Sequence, residues 1–101
     1  MTMDGIDMLL HAPARLQIAA LLAKVTEMEF AKLRELLKVS DSVLSKHLSA
    51  LSDAGYVALR KAAEGGRQRT WASLTRAGIR ALDRHVAALR AIVAHLPAAA
   101  E

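Results

Sequence analysis

The sequence of 101 residues predicts a mainly α-helical domain carrying one small β-hairpin, an α+β fold. Three observations lead there. Apolar residues recur at three-to-four spacing through most of the chain, the mark of helices with one buried face. One stretch, residues 56–74, alternates instead and holds glycines near its middle. The length, with 53% hydrophobic residues, suits a single small core, so residues 1–101 read as one domain.

In chain order, MTMDGIDMLLHAP is acidic and lacks a long apolar run, which fits neither a signal peptide nor a membrane span. Residues 4–10 suit a short helix with Ile6, Leu9 and Leu10 on its sticky side. Pro13 suits the first turn of a helix reaching to about residue 24. Its expected buried face is Ala14, Ile18, Leu21, Leu22 and Val25; Leu16 and Ala20 fall off that stripe and suggest a partner. Residues 25–29 read as a turn.

Residues 31–54 read as two helices with a tight polar turn. In the first, Phe30, Leu33, Leu36 and Leu37 define the apolar side. Val39-Ser40-Asp41 interrupts the pattern, and Ser40 or Asp41 can cap the second helix by accepting an unpaired backbone N–H. Gly55 follows as the left-handed residue that ends many helices. In the second helix Leu44, Leu48 and Leu51 lie within about 60° of one another and face inward. The opposite side holds Ser42, Ser45, Lys46, Ser49 and Asp53. Short hydroxyls and one lysine allow close approach to phosphates and base edges; a plain solvated face is the alternative.

Two such helices alone are an αα-hairpin. The continuation adds strands over about 56–61 and 69–74, joined by a glycine-bearing tip over 62–68. Arg60, Lys61, Arg67 and Arg69 surround that tip against Glu64 alone. A basic hairpin directly after a polar-faced helix is the layout of a winged helix-turn-helix, with the helix in the major groove and the wing on the neighbouring backbone or minor groove. The expected contacts with double-stranded DNA are Asp41, Ser42, Ser45, Lys46 and Ser49 from the helix. Lys61, Arg67, Gln68 and Arg69 are expected from the wing.

Thr75 can cap a last helix over about 76–96, stopped by Pro97. Ile79, Leu82, Val86, Leu89, Val93 and Leu96 recur in a heptad pattern, so this helix is expected to pair with a second copy in a homodimer. Folding back on its own core is the alternative. The trailing Ala98-Ala99-Ala100 is expected to fray.

Charge and composition narrow the function. The net charge is +4, and residues 60–80 hold six cationic side chains against one acidic one, which favours a polyanionic partner. One Trp, one Tyr and one Phe are too few for a platform that stacks single-stranded bases. The absence of cysteine excludes disulfides, thiolate metal sites and thiol redox sensing, and suits a cytoplasmic protein. An enzyme is disfavoured: Ser45-Lys46-His47 are sequential on a helix and splay about 100° apart, no carboxylate orients them, and Gly65-Gly66 sits at a hairpin tip rather than at a helix start. No cofactor is expected. A winged-helix module used for protein–protein contact remains open.

The runs LSKHLSALSDAGYVALRK and GGRQRTWASLTRAG, with HAPARLQI upstream, resemble the small stand-alone winged-helix transcription regulators of the MarR/ArsR type over about residues 10–78. The resemblance implies a dimeric regulator, a repressor that occludes a promoter at a pseudo-palindromic operator, in a bacterial cytoplasm at the nucleoid. Some ArsR-type relatives sense metals through Asp-x-His followed about eleven residues later by His and then a further ligand. Asp83-Arg84-His85 matches, but His95 comes one residue early and Ala98 stands at the next position. No metal site is therefore expected, and the histidines are expected at the surface, with His11 and His47 explained by packing or DNA approach.

Overall fold

The computed structural model describes residues 5–97. The elements are α1 (Pro13–Leu22), β1 (Met28–Glu29), α2 (Phe30–Leu37), α3 (Asp41–Asp53), β2 (Val57–Glu64), β3 (Arg67–Leu74) and α4 (Arg76–Ala94). The strands form one antiparallel sheet in the order β1-β3-β2. The Cα radius of gyration is 15.9 Å, above the about 13 Å of a compact domain this size, with principal extents of 62 × 27 × 21 Å.

Residues 5–12 form turns rather than the expected short helix. The Asp7 carboxylate accepts the Leu9 and Leu10 amides at 2.9 and 3.3 Å, a side-chain substitute for the first helical bonds. Residue 4 of that expected helix, and the fraying expected at 98–100, lie outside the described residues. Helix α1 stops at Leu22, two residues early, where Lys24 and Val25 turn to tighter backbone bonds on Leu21 and Leu22. Its buried residues are Ile18, Ala19 and Leu22, whereas Val25 is exposed and Ala14 half-buried. Leu16, expected to face a partner, packs against the core.

Ser40, not Asp41, caps α3: its side chain accepts the Val43 amide at 3.2 Å. Leu44, Leu48 and Leu51 are buried as expected and meet Leu10, Ile18, Leu22 and Leu33 in the core. The expected turn at 25–29 contains a third strand, with Met28 opposite Ala72 and Glu29 opposite Trp71. The hairpin tip shrinks from the expected seven residues to two. Gly65 and Gly66 have φ of +57° and +76°, which closes a two-residue turn and extends the ladder to Glu64 opposite Arg67.

Thr75 caps α4 by accepting the Gly78 amide at 3.0 Å, and its hydroxyl donates to the Gly55 carbonyl at 2.6 Å. A Cβ at Gly78 would lie 2.2 Å from the Tyr56 carbonyl oxygen, so the start of α4 sits directly on the start of the wing. Helix α4 turns a face of small residues inward: Gly78, Ala81, Leu82, His85 and Ala88 are its buried residues. His85, expected at the surface, is fully buried. Of the heptad stripe only Leu82 is buried in its own chain; Val86 and Leu89 are half-buried, and Ile79, Val93 and Leu96 are exposed. The helix ends at Ala94, two residues short of expectation, and the His95 ring bonds the Ala91 carbonyl at 2.7 Å. Among the described residues no helix is long and apolar enough to cross a membrane.

Candidate nucleic-acid interface

The outer face of α3 is open. Ser42, Ser45, Lys46 and Ser49 are all exposed, because the three leucines on the opposite side hold the helix against the core. Asp41 shares the first turn, where a carboxylate complements the helix dipole. Its Oδ1 is bound at 2.6 Å by Nη1 of Arg34 from α2, which holds the guanidinium more firmly in its charged form.

Register divides the wing into two faces. Directly opposed residues of an antiparallel pair point to the same side. Leu59 with Ala72, Lys61 with Thr70, and Ala63 with Gln68 therefore share one face. That face looks toward α3: Phe30, Ser45, Leu48, Ser49, Leu59, Lys61 and Thr70 line a cleft of about 260 Å³ between helix and wing. Its floor is apolar, from Phe30, Leu48 and Leu59, and its rim carries three hydroxyls and one ammonium. Such a lining fits a sugar–phosphate strand, with the phosphate on the rim and the sugar over the floor.

The other face carries Arg60 with Trp71, Arg69 with Ala62, and Arg67 with Glu64. Its cations are largely spoken for. Arg60 binds Glu27 through two nitrogens, at 2.6 and 3.3 Å, and its guanidinium carbon lies 5.6 Å from the centre of the Trp71 ring. Glu27 accordingly raises the Arg60 pKa. Arg69 binds Glu29 at 2.8 Å, with 35% of its side chain exposed. Its Nε and the Trp71 Nε1 are buried without a protein partner. Sequence reasoning grouped Arg69 with the free cations of the wing; the structure commits its guanidinium to Glu29. Among the described residues Lys46, Lys61 and Arg67 form no ion pair.

The structure thus brings Ser45, Ser49 and Lys61 around one cleft, with Gln68 on the same wing face farther out. Arg67 stands at the tip and Arg69 behind it. Sequence reasoning missed Thr70 and Leu59 as lining residues. The signal was present: a two-residue turn at Gly65-Gly66 sets Lys61 opposite Thr70. Glu27 and Glu29 lay in a segment read as a turn, and nothing local marks them as partners of the wing. No group of three or more metal-binding side chains occurs among the described residues. His85, the histidine of the Asp-x-His match, uses its Nδ1 to accept the Asp7 amide at 3.0 Å.

Known proteins offer the same architecture. A transcriptional regulator homologue from Pyrococcus horikoshii superposes with a TM-score of 0.79 at 26% identity, covering 85% of each chain. ZitR of Lactococcus lactis, a zinc-responsive MarR family member, gives 0.61 at 24% identity; the match covers 81% of this chain and 56% of ZitR. Sco5413, a MarR family transcriptional regulator of Streptomyces coelicolor, gives 0.67 at 24% identity, covering 84% of this chain and 61% of that one. Among curated proteins no sequence matches. The family model described as a winged helix DNA-binding domain matches residues 14–93, from the start of α1 almost to the end of α4. That family is one of DNA-binding domains and not of enzymes, and the chain belongs to it.

Proposed function

We propose that the protein regulates transcription as a homodimeric repressor, binding a pseudo-palindromic operator with α3 in the major groove and the wing along the adjacent backbone. The observation that carries the DNA contact is the shared cleft. The hydroxyls of α3 and the Lys61–Thr70 face of the wing open onto one path, while Arg60 and Arg69 on the other face are tied to Glu27 and Glu29. In this reading Ser42, Ser45, Lys46 and Ser49 approach base edges, with Asp41 beside them holding Arg34. Lys61, Gln68 and Thr70 face the backbone, and Arg67 reaches past the tip. ZitR, of similar fold, has been solved in complex with DNA, which supports the mode without carrying its zinc response to this chain.

Dimerisation is supported by the apolar side of α4. Leu89, Arg90, Val93 and Ala94 line a shallow groove, and Ile79 and Val93 expose large side chains on a helix whose other face is already buried, with Leu96 exposed just past its end. A second copy of the same helix suits that self-complementary stripe. A regulator of this kind works beside the chromosome, in the cytoplasm of a bacterium.

The deciding experiment is duplex binding across a salt series, first with DNA selected from a random pool. Counterion release predicts a linear fall of log affinity with log salt. Absence of duplex binding at low salt would instead favour a winged-helix module that docks protein.

A further inference from the structure

Behind the exposed face of α3, residues 5–12 wedge between α4 and the helix-turn-helix, and two polar relays cross them. The first starts in α4. His85 is fully buried, and its Nδ1 accepts the Asp7 amide at 3.0 Å. The Asp7 carboxylate then takes the Tyr56 hydroxyl, immediately beyond the end of α3. The second starts from the Leu9 carbonyl, which accepts Nε of Arg15 at 2.6 Å. Nη1 of the same guanidinium lies 3.3 Å from Nδ1 of His47, in the middle of α3. A guanidinium only donates, so the His47 Nδ1 accepts. Each relay therefore contains a histidine whose Nδ1 carries a lone pair, and protonating either ring removes an acceptor.

We infer that residues 5–12 act as a strap coupling the charge state of two histidines to the seating of the recognition helix: neutral His85 and His47 hold α3 from behind, and acid releases it. The surroundings favour the neutral rings. Burial and the nearby His11 push the His85 imidazole below its ordinary 6.5, against the pull of Asp7. The His11 ring stands edge-on to it, 5.6 Å between centres. Burial, then Arg15 and Lys46, push His47 down in the same way. Beyond these, Tyr56 faces Asp7, and Arg84 of α4 lies near Tyr56. With the strap undocked, the His85 and His47 rings take up protons more readily than with it docked, because docking lowers both pKa values. The hold is thus complete above about pH 6.5 and is lost as pH falls toward the lowered values of the docked rings. Gly5 anchors the strap's start, with φ of +90° and a Cβ position 3.2 Å from that of Ala88 in α4.

The inference rests on the DNA-binding reading only for its consequence, so the test has two arms. Amide hydrogen exchange on the full chain, expressed as protection factors, is compared at about pH 8 and about pH 5. Wild type is expected to lose about tenfold in protection at residues 7–12 and in α3 on acidification. The double variant His85→Asn, His47→Asn keeps an acceptor near each Nδ1 and cannot titrate there, so its loss should be much smaller. Equal losses in both proteins, or none in wild type, overturn the inference. So does a strap that opens while α3 stays protected. Should the double variant not fold, an NMR titration of wild type replaces it. A His85 ring that titrates like a free histidine under a strap still protected is then the overturning result. In the second arm, affinity for selected duplex DNA at constant ionic strength should fall with α3 protection. Absence of duplex binding at every pH would overturn the DNA-binding reading, while the exchange arm would still decide the strap.

Discussion

At the scale of single residues, the two wing arginines that look alike in sequence have different expected roles. Arg67 stands at the tip with no ion pair among the described residues, whereas Arg69 is held by Glu29. Replacing Arg67 with Ala should make the salt dependence of DNA binding shallower by about one phosphate contact. Arg69→Ala should leave that slope unchanged and lower stability by about 1 kcal/mol, because Glu29 loses its partner in a half-exposed site. Titrations of the two variants against selected and random duplexes, with urea unfolding alongside, check both statements. Lys46→Ala should weaken specific binding by about 1–3 kcal/mol if the lysine reads a guanine; equal affinity across salt would remove Lys46 from the interface. Acid stability separates by residue too. The contribution of His85 and His47 is complete above about pH 6.5 and is lost as pH falls below it. Asp7 acts lower: burial raises it, but Tyr56 and the Leu10 and Leu9 amides outweigh that and hold it below 3.8. Its contribution is present above that value and lost as pH falls through its folded pKa. Unfolding free energy should therefore show two acid-side losses, and His85→Asn should flatten the upper one. Among these residues the outward serines of α3 were legible from periodicity, because burial of Leu44, Leu48 and Leu51 leaves them only one direction. The fate of Arg69 was not, because Glu29 is forty positions away in the chain.

Among the elements, the join between α4 and the wing is the tightest. Thr75 caps the helix and bonds the Gly55 carbonyl, its amide bonds Tyr56, and Gly78 lies against the same carbonyl. Ala at position 78 gains about 1 kcal/mol of helix propensity. It also places a methyl 2.2 Å from a backbone oxygen and 2.7 Å from Leu74 Cδ1, so the helix must move. Gly78→Ala should therefore be destabilising by about 1–3 kcal/mol in urea unfolding, with the usual helical gain overridden. The positions of α1 to α4 followed from spacing to within two residues, as did the capping role of Thr75, whereas the short helix expected over residues 4–10 is turns across its described residues. Alternation marks the wing, but the ladder continues to Glu64 opposite Arg67 and leaves a turn of two residues, not seven. Residues 62–64 are polar or small and look like loop until the glycine pair is read as the whole turn. Strand β1 escaped because two residues carry no period, and only pairing with β3 makes them a strand.

For the whole molecule, the expectation is that two chains join through α4 and set two α3 helices on one side of a duplex, about one helical turn apart. Val93 is the sharpest probe, since 69% of it is exposed. Val93→Glu should leave the urea midpoint nearly unchanged, convert a sedimenting dimer to monomer, and weaken operator binding by at least tenfold. A wild-type chain that sediments as a monomer while binding a palindrome tightly would remove the dimer from the proposal. The heptad stripe was legible as a surplus of apolar surface. Its division was not: Leu82 turns into the chain's own core while Ile79, Val93 and Leu96 stay outside, because the inward face is built instead from Gly78, Ala81, His85 and Ala88.

By itself the sequence determined the order of the four helices and the hairpin, the leucine core of the helix-turn-helix and the exposed polar face of α3, though neither β1 nor the turns of residues 5–12. Those follow from local periodicity, capping and turn chemistry, which act over a few residues. Only the tertiary structure decided which charges stay free, because Arg60 and Arg69 meet Glu27 and Glu29 across 33 and 40 positions of chain. It also decided that His85 is a core residue and not a surface one. That outcome needs Asp7, 78 positions away, to bring its amide to the imidazole. Such a partner offsets the cost of burying one ring nitrogen, although Nε2 of the same ring has none among the described residues. Contacts between distant segments leave no periodic trace in the residues that make them.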